Sequence, residues 1–351
     1  MVGFVLLFLL LQNGIIMKSL PLITLIAILS LASCSTDVDL FAEYKEIPVI
    51  YGLLDYEADT NFIKITHTLG SHEDIMAAAA DPATTNYPGK LDVRITEFRN
   101  GDSVRQFVLD TVTIHNKQDG IFYAPDQKMY YTTQRLHKNA PGASYSYRLS
   151  VALPDKTVVA DEAIVGTDDN PIRTTVVDFS GGTRTIMFFP VKNAGVYEVR
   201  MAFTFLEQRT PESETVRRTF EWPIGTFFAV DLDNYPVDGG YAIHYKAHDF
   251  DDVLERSLGN DTAVPGLRRY LSDYPFQVVL TAGGENLTQY LLYNDASHTT
   301  LDPENNYTVI DDAFGVFSSK VTKRAKMRPG GTTLPDLLRT KWGFRYVGGD
   351  F

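Results

Sequence analysis

The sequence predicts a mainly β protein, with an immunoglobulin- or fibronectin-like antiparallel sandwich followed by a second β-rich domain with one or two short helices. Three observations predict this fold class. Apolar and polar residues alternate along several short segments, turn residues separate those segments, and 44% of the 351 residues are hydrophobic. Six or more antiparallel strands within about 120 residues suit a sandwich.

The predicted sandwich covers residues 46–167 and is built from hairpins. Segments 47–53 and 61–68 are rich in β-branched and aromatic residues and are joined by a polar turn. In segment 91–98, Leu91, Val93 and Ile95 alternate with polar residues and are expected to point inward.

Two further turns complete this domain. Asn100-Gly101 predicts a hairpin between segment 91–98 and a strand at 103–112, because both turn residues must adopt positive φ. Segments 144–153 and 157–164 form another hairpin around Pro-Asp-Lys. A helix is expected at 72–80, where four alanines follow one another.

The second domain is expected at residues 172–325, after the Asp-Asp-Asn-Pro break at 168–171. Residues 249–258 predict a helix with acidic residues in its first turn and Gly259 at its end. Residues 286–293 are helical or extended, and 326–351 read as a C-terminal tail. Strands are expected at 173–178, 183–190, 195–208, 215–222, 227–232, 242–247 and 275–281.

The N-terminus predicts a lipoprotein signal. Met17-Lys18 precedes an apolar run at 20–29, and Leu31-Ala32-Ser33-Cys34 follows it. We expect residues 1–33 to be a signal peptide with Met17 as its true start, Cys34 to carry acyl chains such as palmitate, and 34–45 to form a linker. The alternative is a membrane helix covering both apolar runs, which leaves the tetrad ending in Cys34 unexplained.

This signal predicts where the protein is located. Asp37 and Asp39, just after Cys34, resemble the surface-export signal of Bacteroidota lipoproteins, although they also suit an ordinary solvated linker. We therefore expect a protein anchored by lipid to the cell outer membrane, on either its periplasmic or its outer-leaflet face.

Charge and cysteine content exclude several functions. The formal net charge of −12 argues against nucleic acid as a partner, since nucleic-acid binding needs basic patches. Cys34 is the only cysteine, so its acylation leaves no thiol for disulfides, zinc or nucleophilic catalysis. No cofactor is predicted, and no G-x-S-x-G, S-x-x-K or H-E-x-x-H motif is present.

Two groups of residues are weak site candidates. His244, His248 and Asp249 have metal-ligating side chains, but a strand end followed by a helix N-terminus explains them equally. Tyr130, Tyr131 and Trp222 are candidates for a carbohydrate platform, although alternating tyrosines in strands are more often packing pairs.

Several strand motifs resemble a family of uncharacterised Bacteroidota outer-membrane lipoproteins with a domain of unknown function. They are VIYGLL at 49–54, FIKIT at 62–66, YTVI at 307–310 and the closing GVFSS at 315–319. The resemblance implies an Ig-like N-terminal part and a location beside outer-membrane transport or adhesion systems. It supplies no catalytic residues.

Two functions follow as hypotheses. The first is a cell-envelope binding or accessory module whose partner is a glycan or an outer-membrane transporter. The second is an envelope hydrolase acting on glycan or peptide through the acidic residues at 231–252. An open cleft with two unpaired carboxylates would favour the hydrolase, whereas acidic residues at turns and helix N-termini would favour binding.

Overall fold

A computed structural model describes residues 46–68, 82–115, 126–179, 182–235, 239–246, 249–259, 265–294, 308–331 and 333–349. Residues from Glu46 onward form one compact unit. The signal peptide, Cys34, the linker and the helix expected at 72–80 lie outside the described residues. Within the described ranges, no helix has the length and apolar character needed to cross a membrane.

Alternating burial determines the strands of the N-terminal half. These strands are β1 (Pro48–Leu54), β2 (Asn61–His67), β3 (Asp92–Arg99), β4 (Asp102–Val108), β5 (Asp110–Ile114), β6 (Gln127–Thr132), β7 (Tyr145–Ala152) and β8 (Thr157–Ala163). In β2, Ile63 and Ile65 are buried, and in β3, Val93 and Ile95 are completely buried, as the alternating pattern predicts.

The described part of the C-terminal half contains longer strands and three α-helices. Its elements are β9 (Val176–Val177), β10 (Thr183–Phe188), β11 (Ala194–Gln208), β12 (Val216–Phe228), β13 (Asp233–Tyr235), β14 (Gly240–Lys246), α1 (Asp249–Leu258), β15 (Arg268–Leu271), β16 (Phe276–Gly284), α2 (Glu285–Asn294), β17 (Phe314–Pro329), α3 (Thr333–Trp342) and β18 (Phe344–Tyr346). Mainly β structure with short helices is therefore confirmed.

The described strands form three sheets. The largest has eleven strands, with β18-β15-β11-β16-β17-β1-β2-β6-β5 as its main path, β12 beside β11 and β9 beside β17. The second sheet has the order β4-β3-β7-β8, and the third β10-β14-β13. The largest sheet thus combines strands from both of the domains that the sequence predicts.

The parallel pairing of β1 with β17 joins these two parts of the chain. Val49 lies opposite Phe314 and Leu54 lies opposite Ser319. Two of the motifs that carry the family resemblance are therefore direct neighbours in the sheet. Gly52 allows close packing there, because a Cβ would approach Ile63 and Phe317 to 3.2 Å.

The three predicted hairpins are confirmed. Strands β1 and β2, β3 and β4, and β7 and β8 pair antiparallel. At the second turn, Asn100 has φ 52° and Gly101 has φ 93°, the positive values that such a turn requires. Helix α1 also matches its prediction, with its acidic residues in the first turn and Gly259 donating to the Glu255 carbonyl.

Three of the predicted strands need correction. The strand expected at 103–112 is two strands, because the chain turns at the buried Leu109 and passes from one sheet to another. The strand expected at 227–232 is the end of β12 followed by a 3₁₀ turn at Ala229–Asp231. Only Val176–Val177 of segment 173–178 pair as a strand.

The predicted C-terminal tail is part of the folded unit. Strand β17 extends to Pro329, and β18 pairs parallel with β15. Leu338, Trp342 and Phe344 supply the reason, since all three side chains are buried in the hydrophobic core.

Candidate ligand-binding site

The residues predicted as metal ligands do not form a described cluster. His244 is exposed in β14 and its Nδ1 lies 3.0 Å from Thr185 Oγ1. Asp249 begins α1, and His248 lies outside the described residues. No group of three or more His, Cys, Asp or Glu side chains in the described ranges could hold a metal ion.

Two of the three aromatic candidates lie in the core. Tyr130 is 1% exposed and its hydroxyl accepts a hydrogen bond from the Leu91 amide. Trp222 is 6% exposed and packs beside Phe250, with ring centroids 5.5 Å apart. Tyr131 is half-buried beside Phe62. These three side chains contribute mainly to packing.

A different constellation forms around the buried Glu97 in β3. Its side chain is 1% exposed, and it continues the inward row of Val93 and Ile95. Tyr147 of β7 lies directly opposite in the sheet, and its hydroxyl donates to Glu97 Oε2 at 2.8 Å. Arg105 of β4 donates to the same oxygen at 2.7 Å.

His137 contacts the other oxygen of this carboxylate. Its Nδ1 lies 2.8 Å from Glu97 Oε1, and its ring stacks on Tyr145 with centroids 5.2 Å apart. The backbone N–H of His137 donates to the Tyr147 hydroxyl at 2.7 Å. These contacts hold the ring in place although its side chain is 57% exposed.

The charge state of Glu97 follows from its partners. Burial raises the pKa of this carboxyl, but hydrogen bonds from His137, Tyr147 and Arg105 outweigh burial and hold the pKa below its usual value. Glu97 is therefore ionised at neutral pH. An ionised carboxylate can only accept, so His137 Nδ1 carries a proton and donates it to Glu97 Oε1.

His137 lies in an open cleft of about 650 Å³, here called the histidine cleft. This volume is in the range of small-molecule sites. Lys138 forms an ion pair with Asp168 across it and lies 5.8 Å from the Tyr56 ring centroid. The cleft is lined by Tyr56, Glu57, Arg135, Leu136, His137, Lys138, Ala140, Tyr145 and Asp168.

The histidine cleft offers aromatic faces, cations, carboxylates and one oriented imidazole. Such a surface can hydrogen-bond a polar ligand from several sides. The His137–Glu97 pair has the arrangement of a general base with its orienting carboxylate, but no described residue that lines the cleft is a Ser, Thr or Cys.

Sequence reasoning missed Glu97 and His137 for different reasons. Glu97 could have been found, because it is a charged residue at an inward position of an otherwise apolar row. His137 lies forty residues further along the chain, in a loop with no motif. Only the folded chain brings the two side chains together.

A second buried carboxyl, Glu162 in β8, lies beside another open cleft of about 580 Å³. The Ser318 hydroxyl donates to its Oε1 at 3.0 Å. Gly284 lies so close that a Cβ there would collide with the carboxylate. Burial raises the pKa of Glu162 to about 7, although hydrogen bonds from Ser318 and from the backbone at Asn286 lower it.

The acidic residues proposed for hydrolysis lie in the first turn of a helix and in a short 3₁₀ turn. Asp249, Asp251 and Asp252 form the first turn of α1, where the helix dipole favours negative charge. Asp251 Oδ2 lies 3.5 Å from Lys341 Nζ. Asp231 belongs to the short 3₁₀ turn.

Comparison with known proteins adds no relative. No protein-family model matches the chain, and no curated protein is significantly similar to it.

Proposed function

We propose that this protein is a lipid-anchored protein of the bacterial outer membrane that acts as a binding or accessory module, with the histidine cleft as its ligand site. One observation carries the binding function: an exposed imidazole, His137, held by a buried and ionised glutamate inside an open cleft. Burying a charged group costs free energy. Here the buried carboxylate of Glu97 orients the His137 side chain toward the cleft.

Binding is supported over hydrolysis by the acidic residues themselves. The carboxylates at 249–252 lie at a helix N-terminus, and Asp251 is close to a lysine. A glycosidase needs two carboxyl groups facing one substrate bond across a short gap. Asp231 lies in a 3₁₀ turn, and Asp249, Asp251 and Asp252 lie in the first turn of α1 instead.

The anchor is tested by metabolic labelling with a palmitate analogue. We expect label on the wild-type protein, and neither label nor retention in the membrane fraction for Cys34→Ala. A Cys34→Ala variant that stays in membranes without label would favour the alternative membrane helix. Protease treatment of intact cells then distinguishes the leaflets, since only a surface-exposed protein is cleaved.

The binding function is tested by photo-crosslinking in native envelopes. A p-benzoylphenylalanine at Ala140, which is exposed and lines the histidine cleft, is expected to form an adduct. The same amino acid at Val230, 84% exposed and outside the residues that line this cleft, is the matched control. His137→Ala should abolish the Ala140 adduct without unfolding the protein, as checked by circular dichroism.

Each other outcome contradicts the proposal. Equal adducts at Ala140 and Val230, or no adduct at Ala140, would show that the cleft is not a binding site. An Ala140 adduct that His137→Ala leaves unchanged would remove His137 from the site.

A further inference from the structure

Beside the histidine cleft lies a second open cleft of about 540 Å³, here called the arginine cleft. Two chain segments form its walls and are held together by backbone hydrogen bonds. The Arg173 N–H donates to the Met187 carbonyl at 2.8 Å, and the Phe189 N–H donates to the Pro171 carbonyl at 2.9 Å. These bonds keep the two walls at a constant separation.

The Arg173 side chain is held by an aromatic ring. Its guanidinium carbon lies 4.4 Å from the centroid of the Phe189 ring, the distance of a cation–π contact. Stacking occupies the face of the guanidinium and leaves the N–H groups at its edge available for an acceptor. Within the described residues, Arg173 has no carboxylate partner.

Charge in the arginine cleft is positive although the chain is acidic overall. Lys323 is paired with Glu57 at 2.6 Å, so that its charge is compensated. Lys192 Nζ donates to the neutral Ser144 hydroxyl at 2.8 Å. Asp169 accepts from the Thr167 hydroxyl. Two cations, Arg173 and Lys192, thus face one carboxylate.

The net charge of the arginine cleft indicates which class of ligand it can bind. One net positive charge matches a monoanion better than a phosphate, which carries close to two negative charges at neutral pH. A planar carboxylate also matches the guanidinium fork, which can donate two parallel hydrogen bonds to it. We propose that the arginine cleft binds the carboxylate group of an organic acid through Arg173, with Lys192 as a second cation.

The two clefts meet at the Lys323–Glu57 ion pair. Lys323 lines the arginine cleft, Glu57 lines the histidine cleft, and Lys323 Nζ lies 5.4 Å from the Tyr56 ring centroid. A ligand with its carboxylate at Arg173 can therefore place its polar body toward His137. This inference deepens the proposed binding function and rests on it.

The test is calorimetric titration of the full-length lipidated protein in detergent with matched pairs of acid and neutral ligands. The pairs are glucuronate with glucose, and N-acetylalanine with N-acetylalaninamide. We expect at least one acid to bind about tenfold more tightly than its neutral partner, the size of one or two charge-assisted hydrogen bonds. The pair that shows the larger preference identifies the source of the carboxylate.

Arg173→Gln should reduce this preference about tenfold, and Lys192→Gln less, because lysine acts as a point charge. Arg345→Gln is the matched control, since Arg345 is exposed on β18 and lines neither cleft. Equal binding of acid and neutral ligands, equal effects of the two arginine variants, or tighter binding of inorganic phosphate would overturn the carboxylate assignment.

Failure of this inference differs from failure of the proposed function. If the Ala140 adduct forms but no acid is preferred, the histidine cleft binds ligands and the arginine cleft does not select carboxylates. If the adduct is also absent, both proposals are wrong.

Discussion

Two glutamates of the four-stranded sheet are almost equally buried and yet have opposite pKa shifts. Glu97 in β3 is 1% exposed, and Glu162 in β8 is 6% exposed. The pKa of Glu97 lies below its usual value, whereas the pKa of Glu162 is raised to about 7. Burial alone therefore does not determine the charge of a carboxyl group in this sheet.

The partners of the two groups explain the difference. Burial raises the pKa of both carboxyls, but Glu97 accepts from the Arg105 guanidinium in addition to Tyr147 and His137. The side-chain donor to Glu162 is the neutral Ser318 hydroxyl, and the nearby Glu285 raises its pKa further. Three side-chain donors, one of them a cation, offset the desolvation of Glu97, whereas the single side-chain donor to Glu162 does not offset its desolvation.

This difference assigns separate roles to the two sites. Glu97 stays ionised and can orient His137 at any pH near neutrality. Glu162 changes its charge within that same range, next to the N-terminus of α2. The predictions that follow test this comparison, from the largest expected effect to the smallest.

Replacing Glu97 should have the largest effect. In Glu97→Ala, Arg105 and Tyr147 lose their buried acceptor, and loss of one partner of a buried ion pair costs about 3–5 kcal/mol. The measurement is the free energy of unfolding in urea. Asp92→Ala is the control, because its ion pair with Arg94 is about half exposed and should contribute little to stability. Similar losses for the two variants would contradict the central role of Glu97.

Glu162→Gln should change how stability depends on pH. The folded protein binds the Glu162 proton more tightly than the unfolded chain, whose carboxyl has a pKa near 4.5. The Glu162 proton stabilises the fold fully below pH 4.5. This stabilisation is lost as the pH rises to about 7, and the loss in unfolding free energy is at most about 3 kcal/mol. Unfolding free energies of wild type and variant between pH 4 and about 8 should therefore diverge. Parallel curves would show that Glu162 is ionised in the folded protein.

Asp161→Asn should have the smallest effect. Asp161 accepts two hydrogen bonds from Arg148 at 2.7 and 2.9 Å, but both side chains are about half exposed. Exposed pairs of this kind contribute about 0.2–1 kcal/mol, and about 1 M salt screens them. Urea unfolding with and without salt measures the difference. A larger loss of unfolding free energy, unchanged by salt, would show that Asp161 behaves as a buried ionised group, as Glu97 does.

Local patterns in the sequence predicted many individual elements. The inward positions of Leu91, Val93 and Ile95, the turn at Asn100-Gly101 and helix α1 agree with the structure. Each of these features depends on neighbours within a few residues, so a short stretch of sequence contains the information.

Features that depend on distant contacts were not predictable in this way. The break at Leu109 exists because the chain crosses between two sheets, and neither Gly nor Pro marks it. The pairing of β1 with β17 joins residues more than 260 positions apart. The glycines and basic residues of the C-terminal segment suggested a tail. The segment folds as α3 and β18 because side chains of both elements are buried in the core.

The sequence by itself determined a mainly β chain, its hairpins and its acidic first helical turn, because alternation, turn geometry and helix-dipole effects act over a few residues. Tertiary structure alone decided that Glu97, Arg105 and His137 meet, and that the Ser318 hydroxyl lies against Glu162. The charge of a buried carboxyl depends on which groups folding brings within a few ångströms of it, and these groups come from separate strands and loops.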